Sequence, residues 1–354
     1  MLKILKAWYH KNFSDPQAVI LALVIISGIA VIFFLGNVLT PVLAGIVIAY
    51  VLEGLVGRIS RLGVPRPVSV IISFSLFISS IVLLLFGLIP LVSRQISQLV
   101  TNLPEILNKV QQLVLLLLEK YPTLGVDNLK EMVSSINAEL VSLGQTLLSV
   151  SLSSVIDVFT LAVFFVVVPL LVFFLLRDKE KILHWLQWFL PEGRGLAYEV
   201  WRDIDVKMGN YIRGKLVEIL IVGVVTYIAF KIMGLNYAAT LSLFVGLSVI
   251  IPYVGALAVT FPIALIAWFQ WGASSEFVYV IVIYMIIQFI DGNILVPLLF
   301  SEVVNMHPAA IIIAVLVFGN LWGFWGVFFA IPLATLIQSV LNAWPAMQAH
   351  KNTG

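Results

Sequence analysis

The sequence lacks cysteine and has few charged residues. Without cysteine the chain has no disulfide bonds, no thiolate chemistry and no cysteine-ligated metal. Charged residues make up 11% of the 354 residues, whereas soluble domains carry about 25%. A net charge of only +2, with basic residues spread between apolar runs, also excludes a nucleic-acid-binding surface. This balance indicates a chain whose surroundings are mainly apolar.

Motifs of the common catalytic and nucleotide-binding sites are also missing. The sequence has no phosphate-binding G-x-x-x-x-G-K-[ST] loop, no H-E-x-x-H zinc motif and no G-x-S-x-G nucleophile elbow. The histidines are scattered, at His10, His184, His307 and His350. We therefore expect no catalytic residues, no metal site, no cofactor and no ATP hydrolysis by this chain.

Long apolar runs dominate what is present, since 61% of the residues are hydrophobic. The runs lie at residues 17–35, 38–55, 68–92, 155–176, 216–233, 237–271, 277–300 and 309–340. Their lengths match the ~20 residues that a helix needs to cross about 30 Å of hydrocarbon. The alternating segments of about 10 residues that mark a β-barrel are absent. The sequence predicts an all-α integral membrane protein with about eight spans.

Two of these runs, 237–271 and 309–340, are longer than one untilted crossing requires. Each is either one broken span or a re-entrant hairpin, and both choices give an even number of crossings. We therefore expect the two chain termini on the same side. Between the first two runs, Asn37, Thr40 and Pro41 predict a tight turn.

Basic residues indicate the orientation, because cytoplasmic loops are enriched in lysine and arginine. They cluster before the first run, after the second, and in the segment 177–215. The first two clusters are Lys3, Lys6, Lys11, Arg58, Arg61 and Arg66. Residues 93–154 have no basic excess. We expect both termini and 177–215 to be cytoplasmic and 93–154 to lie outside.

The two polar segments show helical periodicity. Residues 96–117 and 129–143 each carry an apolar stripe, which predicts an extracytoplasmic amphipathic hairpin. Residues 177–215 predict helices that lie in the membrane interface. The resulting domain division is 1–92, a three-span region; 93–154, the outer helices; 155–176, a fourth span; 177–215, the cytoplasmic segment; and 216–354, the transport core.

Asp291 is the strongest candidate for a functional residue. A carboxylate at mid-bilayer costs about 2.5–3.5 kcal/mol on insertion scales, so it is kept mainly where it faces a cavity or a partner. Gln288 and Asn293 stand beside it, and Gly292 and Pro297 loosen the helix there. We predict a contact to solute or to a coupling cation, and the alternative is a structural cap. Other charges were assigned to span ends and headgroup contact: Glu53, Asp157, Glu218 and Lys231.

The two long runs share a glycine and a proline placed six residues apart. The first contains Gly246, Pro252 and also Gly255, and the second contains Gly326 and Pro332. Paired breaks in corresponding positions are a sequence indicator of a transporter binding site. We predict that both breaks face a common cavity with Asp291 and Asn293. Proline kinks that only shape packing are the alternative.

Several segments of the chain are characteristic: FSDP (13–16), VFFLLRDKEK (172–181), NYIRGK (210–215), IPYVGA (251–256), DGNILVPLLFSE (291–302) and LWGFWGVFFAIPLATLI (321–337). Together they resemble the PerM-type permeases of the autoinducer-2 exporter (AI-2E) family over nearly the whole chain. The resemblance implies a bacterial inner-membrane permease, in a family with exporters of autoinducer-2 and sodium/proton antiporters. It also implies assembly as homo-oligomers, pentamers among them.

From these observations we predict a secondary transporter that exports a small polar solute of the autoinducer-2 type. Its partners would be that solute or a coupling cation, and the lipid bilayer. A sodium/proton-type cation antiporter is the nearest alternative, and a non-transporting scaffold or regulator is the alternative of another class. A scaffold has no need of Asp291, Gln288 and Asn293 in one apolar span.

Overall fold

The computed structural model describes residues 16–120, 155–187, 195–252, 254–300 and 306–343. Within these ranges all regular structure is helical, which confirms the predicted all-α class. The helices are α1 Pro16–Arg61, α2 Arg66–Leu83, α3 Ile89–Lys120, α4 Val155–Arg177, α5 Lys179–Gln187, α6 Gly195–Ile232, α7 Ala238–Ser248, α8 Val254–Trp271, α9 Ser275–Ile290, α10 Val296–Phe300 and α11 Pro308–Ala343. Two π-helical turns, Leu84–Leu88 and Asp291–Leu295, join α2 to α3 and α9 to α10.

Five stretches of these helices are long and apolar enough to cross a membrane. They are Leu39–Arg61, Arg66–Asn102, Val254–Trp271, Ser275–Phe300 and Pro308–Ser339. Apolar side chains cover much of the outside of the molecule, as expected where lipid replaces water as the solvent. The chain is therefore a multi-pass membrane protein.

Helix α1 differs from the prediction of two spans joined by a tight turn. It continues from Pro16 to Arg61, with Pro41 inside it. An internal proline removes one backbone hydrogen bond and can bend a helix, but the apolar chain on both sides stays helical here. The turn predicted at 37–41 is therefore wrong. A helix of 46 residues is about 69 Å long, roughly twice the thickness of the hydrocarbon core.

Helices α1, α2 and α4 form what we call the N-terminal bundle. Its buried contacts include Leu52, Val56, Val70, Val168, Val172 and Leu176. At one end of the bundle the carboxylate of Glu53 accepts hydrogen bonds from Arg66 and from Lys179, each at 3.1 Å. Glu53 thus ties α1 to the first residues of both α2 and α5. Predicted as a headgroup contact, it instead forms an interhelical ion pair.

The polar segments are only partly described. The first amphipathic stretch, 96–117, lies within α3, which runs on directly from the third apolar run. The second stretch, 129–143, lies outside the described residues. On the other polar segment, the stripe at 200–212 belongs to α6, a single helix of 38 residues that continues into the next apolar run. Met208 and Ile212, the last two residues of this stripe, pack in the protein interior and not in the membrane interface.

The run 237–271 forms a helical hairpin, which we call hairpin 1. The side chain of Gln270, near the end of α8, accepts a hydrogen bond from the Asn236 N–H and donates one to the Gly234 carbonyl, each at 2.8 Å. The start of α7 and the end of α8 are therefore neighbours. The chain reverses between Ser248 and Val254. Helix α7 has 11 residues and is about 16 Å long, too short to cross the bilayer alone.

The run 309–340 forms a second helical hairpin, hairpin 2. Gly323 has φ 58° and ψ −135°, and the chain is helical on both sides of it. Ala314 packs against Ala330, although in a straight helix these residues would be about 24 Å apart. The Thr335 hydroxyl likewise lies 4.0 Å from the sulfur of Met306. Length alone would let Pro308–Ser339 cross as one helix, but these contacts require a reversal at Gly323.

Candidate functional site

Helix α6 carries a buried ion pair in its middle. The Lys215 ammonium donates a hydrogen bond to the Glu218 carboxylate at 2.8 Å, and their side chains are 6% and 2% exposed. Residues three apart lie on the same helix face, so the pair forms within one turn. Buried charges occur in proteins mainly as such pairs, because an isolated charge in an apolar interior is very costly. This face of α6 therefore places a dipole in the protein interior.

Asp291 lies opposite this pair, on the first residue of the π-helical turn Asp291–Leu295. Its side chain is buried, with the residue 8% exposed, and it interacts electrostatically with both Lys215 and Glu218. Among the described residues, its buried Oδ1 atom has no hydrogen-bond partner. π-Helical turns are frequent at functional sites because they re-aim side chains and free backbone groups. A buried carboxylate oxygen with no partner in the protein is available to a solute, a water molecule or an ion.

Two further polar atoms on the same helices have the same property. Nε2 of Gln288, one turn before Asp291 on α9, is buried without a hydrogen-bond partner in the part of the chain described. So is the hydroxyl of Thr226, which follows Glu218 by two turns on α6. Native proteins leave few buried polar atoms unsatisfied, and each such atom indicates strain, function or bound water. Helices α6 and α9, which pack on each other, therefore both carry buried polar atoms without partners in the described chain.

Phe300 connects this cluster to the rest of the core. Its ring lies 5.5 Å from the Lys215 nitrogen, within the range of a cation–π contact. On the other side the ring packs on Tyr211, with 5.7 Å between ring centroids. Gly214 makes room for it, since a Cβ atom there would lie 2.8 Å from Cε1 of Phe300. Phe300 thus closes the site on the side that faces the hairpin tips.

The tips of the two hairpins meet in one aromatic cluster with Tyr211 and Phe300. Ile250, at the tip of hairpin 1, and Phe328, near the tip of hairpin 2, are buried in it. The Tyr211 hydroxyl donates a hydrogen bond to the Phe328 carbonyl at 3.1 Å. Lipid cannot satisfy backbone groups, so non-helical chain at membrane depth must be covered by protein or line a cavity. Here the aromatic cluster covers part of both tips.

The other polar and helix-breaking residues predicted for the site occupy different positions. Gly292, Asn293 and Pro297 are exposed on the outer side of the turn, away from the buried Asp291. The Asn293 side chain donates a hydrogen bond to the carbonyl of Phe289 on its own helix at 2.9 Å. Residues two apart on a helix point in nearly opposite directions, about 200° apart, so Asn293 faces outward when Asp291 faces inward. The structure therefore brings Gln288 and Asp291 together but not Asn293.

Two of the predicted glycines lie at the chain reversals, where they allow close backbone contact. A Cβ atom on Gly255 would lie 1.8 Å from the Ser248 carbonyl oxygen, and one on Gly326 would lie 1.8 Å from the Phe318 carbonyl oxygen. Gly246 has a different role, because it packs α7 against α6. Its Cβ would lie 2.9 Å from the carbonyl oxygen of Ile219.

The prolines differ between the two hairpins. Pro252 lies in the tip of hairpin 1, between α7 and α8. Pro332 is buried inside the second arm of hairpin 2, nine residues after the reversal at Gly323. A proline near a helix start is tolerated, but within an arm it acts as a packing residue instead of a break. The six-residue spacing of glycine and proline therefore corresponds to different backbone positions in the two hairpins.

Sequence reasoning missed Lys215 and Glu218 as parts of the site. Both lie at the start of an apolar run, and a charge near the end of a membrane span has a low free-energy cost. The sequence does contain a signal for them: Lys215 and Glu218 have opposite charges three residues apart, and a long stretch with almost no charged residues follows. From 232 to 300 the charged residues are Glu276 and Asp291 alone. Within the described chain, no group of three or more His, Asp or Glu side chains forms a metal site.

Comparison with known proteins gives consistent matches. The model of the AI-2E family transporters matches residues 20–346. PerM of Escherichia coli (strain K12), named as a permease, is 43% identical over 346 residues, which cover 98% of both chains. YrrI of Bacillus subtilis (strain 168), named as a transport protein, is 30% identical over 312 residues, 86% of each chain. YueF of the same strain, named likewise, is 27% identical over 314 residues, 87% of this chain and 84% of that one.

Proposed function

The chain belongs to the AI-2E transporter family, and we propose that it is a secondary transporter that exports a small polar solute of the autoinducer-2 type. The observation that carries this proposal is the buried Oδ1 of Asp291, which has no partner among the described residues and lies beside the Lys215–Glu218 pair. A structural cap would satisfy its carboxylate within the protein. A binding site leaves an oxygen free for what it binds. The proposal includes no enzymatic step.

The surroundings of Asp291 support a polar solute over an apolar one. Lys215 and Glu218 offer a donor and an acceptor, and the Gln288 amide supplies a buried donor. A solute rich in hydroxyl groups can satisfy such a set, because each of its hydroxyls both donates and accepts hydrogen bonds. Apolar molecules would leave the same groups buried and unsatisfied, at a cost of about 1–3 kcal/mol for each.

A specific feature favours a second candidate, a cation antiporter of the sodium/proton type. Two carboxylates, Glu218 and Asp291, face a single lysine in the cluster. A cation is attracted to such an excess of negative charge whether or not a solute is present. In this candidate the cation is itself the cargo, and Asp291 exchanges it for a proton.

We further propose how the site opens to each side in turn. The two hairpins and α6 move as a C-terminal core (α6 to α11) against the N-terminal bundle. The contact between these units combines apolar packing of Val47 and Val51 on α1 with polar bonds: Tyr50 on α1 donates to Asp205 at 2.6 Å, and Arg213 donates to the Tyr50 carbonyl at 3.4 Å. The polar bonds can be exchanged for others while the apolar surfaces slide over each other, which is the kind of motion seen between packed helices in domain closure.

Flux into and out of proteoliposomes tests these proposals. Purified full-length protein is reconstituted, and uptake of autoinducer-2, other small hydroxylated metabolites, sodium and protons is measured with and without an ion gradient. Gradient-driven movement of a hydroxylated solute supports the exporter. Sodium/proton exchange without solute supports the antiporter. Absence of flux with every probe, in protein that is folded and inserted, would favour the scaffold.

The remaining predictions on setting are also proposals. We propose the bacterial inner membrane as the location, with the C-terminus and the 177–215 segment cytoplasmic. We also propose assembly as a homo-oligomer. The exposed outer side of the turn, with Gly292, Asn293 and Pro297, supports it, because a polar amide on an apolar outer surface is better placed against protein than against lipid.

A further inference from the structure

We propose that Lys215, Glu218 and Asp291 form a single charge-coupled unit that takes up one monovalent positive charge per transport cycle, with Lys215 as its resident counter-ion. This inference rests on the proposed function of secondary transport and names how transport would be driven. Glu218 and Lys215 are assigned here to the coupling machinery. The incoming charge is a proton or a monovalent metal cation, since both are attracted by the same carboxylates.

The charges around Asp291 do not balance. Its turn packs against α6, α9 and α10. From α6 come Lys215 and Glu218; α9 carries Glu276 in its exposed first turn, far from Asp291 along the helix; and α10 (Val296–Phe300) has no ionisable side chain. The phenols of Tyr211 and Tyr284 donate to the carbonyls of Phe328 and Ala256. Hairpins 1 and 2 contain no Asp, Glu, Lys or Arg within α7, α8 and α11. One lysine thus faces two carboxylates, which leaves one negative charge without a partner.

This charge imbalance cannot persist in the protein interior. An unpaired buried charge is far more costly than a paired one, so the cluster must acquire a positive charge. Oδ1 of Asp291 is the place where it would bind, because the carboxylate of Glu218 already accepts from Lys215 at 2.8 Å. The adjacent Phe300 ring shields Lys215 on its other side.

Lys215 acts as the counter-ion that the two carboxylates share. The amine has three N–H donors, of which one is bonded to Glu218, and it interacts electrostatically with Asp291. When the bound positive charge leaves, Lys215 can share its donors between both carboxylates. With Lys215 present, the two carboxylates need one further positive charge for neutrality instead of two. Because Lys215 interacts with both carboxylates, the binding of a charge at Asp291 depends on how Glu218 is paired.

Proton uptake by purified, detergent-solubilised full-length protein tests this inference without any transport. The pH of a weakly buffered solution is lowered stepwise, and the protons bound are compared between wild type and variants. We expect wild type to bind about one proton more than D291N. E218Q should lose the same proton, because Lys215 then pairs with Asp291, and the D291N/E218Q double variant should lose no more than either single variant. K215M should bind more protons than wild type.

The double variant makes the test decisive, because independent carboxylates give additive losses whereas a coupled unit does not. Additive losses, or equal uptake by wild type and E218Q, would overturn the proposal. Glu276→Gln is the matched control: it removes an exposed carboxylate from the same span and should leave the coupled proton in place. Size-exclusion profiles verify that each variant is folded.

Sodium, lithium and potassium chlorides then identify the source of the charge, with choline chloride as the reference. Proton release on addition of one of these metal ions, lost in D291N, shows that the metal competes for the site. If proton uptake is coupled but none of these metal ions releases the proton, the site binds a proton only. That result also supports the charge-coupled unit. Because no gradient is used, failure of the flux assay and failure of this inference are separate results.

Discussion

At the residue scale, Asp291 was predictable from sequence whereas its partners were not. A carboxylate in the middle of an apolar run is conspicuous because burial of a charge in lipid or protein is costly. Lys215 and Glu218 precede the centre of their run, and only the packing of α6 against α9 shows that they are buried. Asn293 was assigned to the site because it is close in sequence, but the direction of its side chain depends on which side of the turn packs inward.

Asp291→Asn should reduce flux by about tenfold or more while leaving insertion intact. The amide keeps the size of the side chain and some hydrogen bonding but removes the charge, and a hydrogen bond to a charged group contributes about 1.5–3 kcal/mol. The measurement is initial flux in proteoliposomes, normalised to reconstituted protein. Asn293→Ala, on the exposed side of the same turn, is the control and should keep most of the activity. Normal flux in D291N would contradict the assignment.

Gly214→Ala should weaken transport through Phe300. The added methyl group would meet Cε1 of Phe300 at 2.8 Å, so the ring must shift away from Lys215 and Tyr211. Overpacking of this kind costs roughly 1–3 kcal/mol. Phe300→Leu combined with Gly214→Ala relieves the clash and should restore part of the flux lost by Gly214→Ala alone. If the double variant is no better than Gly214→Ala, the ring does not mediate the effect.

At the element scale, the sequence predicted two interrupted runs but did not determine their form. A run of more than 30 apolar residues fits one tilted, broken span as well as a hairpin, because hydropathy reports burial and not direction. The reversal in hairpin 2 occurs at Gly323, where φ is 58°, and glycine adopts such values at little cost. The turn predicted in α1 was wrong because a proline does not always end a helix, and the helix continues through Pro41.

Gly255→Ala should destabilise hairpin 1, because the new methyl group would lie 1.8 Å from the Ser248 carbonyl oxygen, which belongs to the backbone and cannot rotate away. We expect a loss of at least about 1–3 kcal/mol, seen as a lower melting temperature in a fluorescence-detected size-exclusion assay. Gly292→Ala is the matched control, since no atom lies within 4 Å of a Cβ built there. Equal melting temperatures for the two variants would mean that the tip is more open than described.

At the scale of the whole molecule, the reversals in both hairpins bear on topology. Each hairpin returns to the side from which it started, so the orientation of the C-terminal core depends on α6 and α9 alone. We expect the C-terminus and the 177–215 segment on one side, from the distribution of basic residues. Because Pro16–Arg61 is one continuous helix where two spans were predicted, the side on which the N-terminus lies stays a prediction that labelling can test.

Labelling of single cysteines can determine this topology, because the natural chain has no cysteine. A cysteine at Ser134 should react with a membrane-impermeant maleimide from outside intact cells, and one at Lys181 only after permeabilisation. A cysteine at Lys11 distinguishes two spans before residue 61 from one. Labelling of the Ser134 position only from the cytoplasmic side would overturn the proposed orientation.

Movement of the C-terminal core against the N-terminal bundle is the last consequence of this architecture, and a cross-link can test it. Tyr50 on α1 and Asp205 on α6 are in hydrogen-bonding contact across the boundary, whereas Glu53 and Arg66 are in contact within the bundle. Cysteine pairs at the two positions, joined by the same short bifunctional reagent, should therefore act differently. The Tyr50–Asp205 link should abolish flux, because it fixes the two units together.

The Glu53–Arg66 link should leave most of the flux, because it joins helices that move as one, and reducing a cleavable reagent should restore transport in the first pair. The cysteine-free natural chain makes both pairs free of background reaction. Full flux with the Tyr50–Asp205 pair cross-linked would mean that α1 and α6 do not separate during transport. Movement would then have to lie within the core, at the hairpin tips, where Ile250 and Phe328 meet Tyr211 and Phe300.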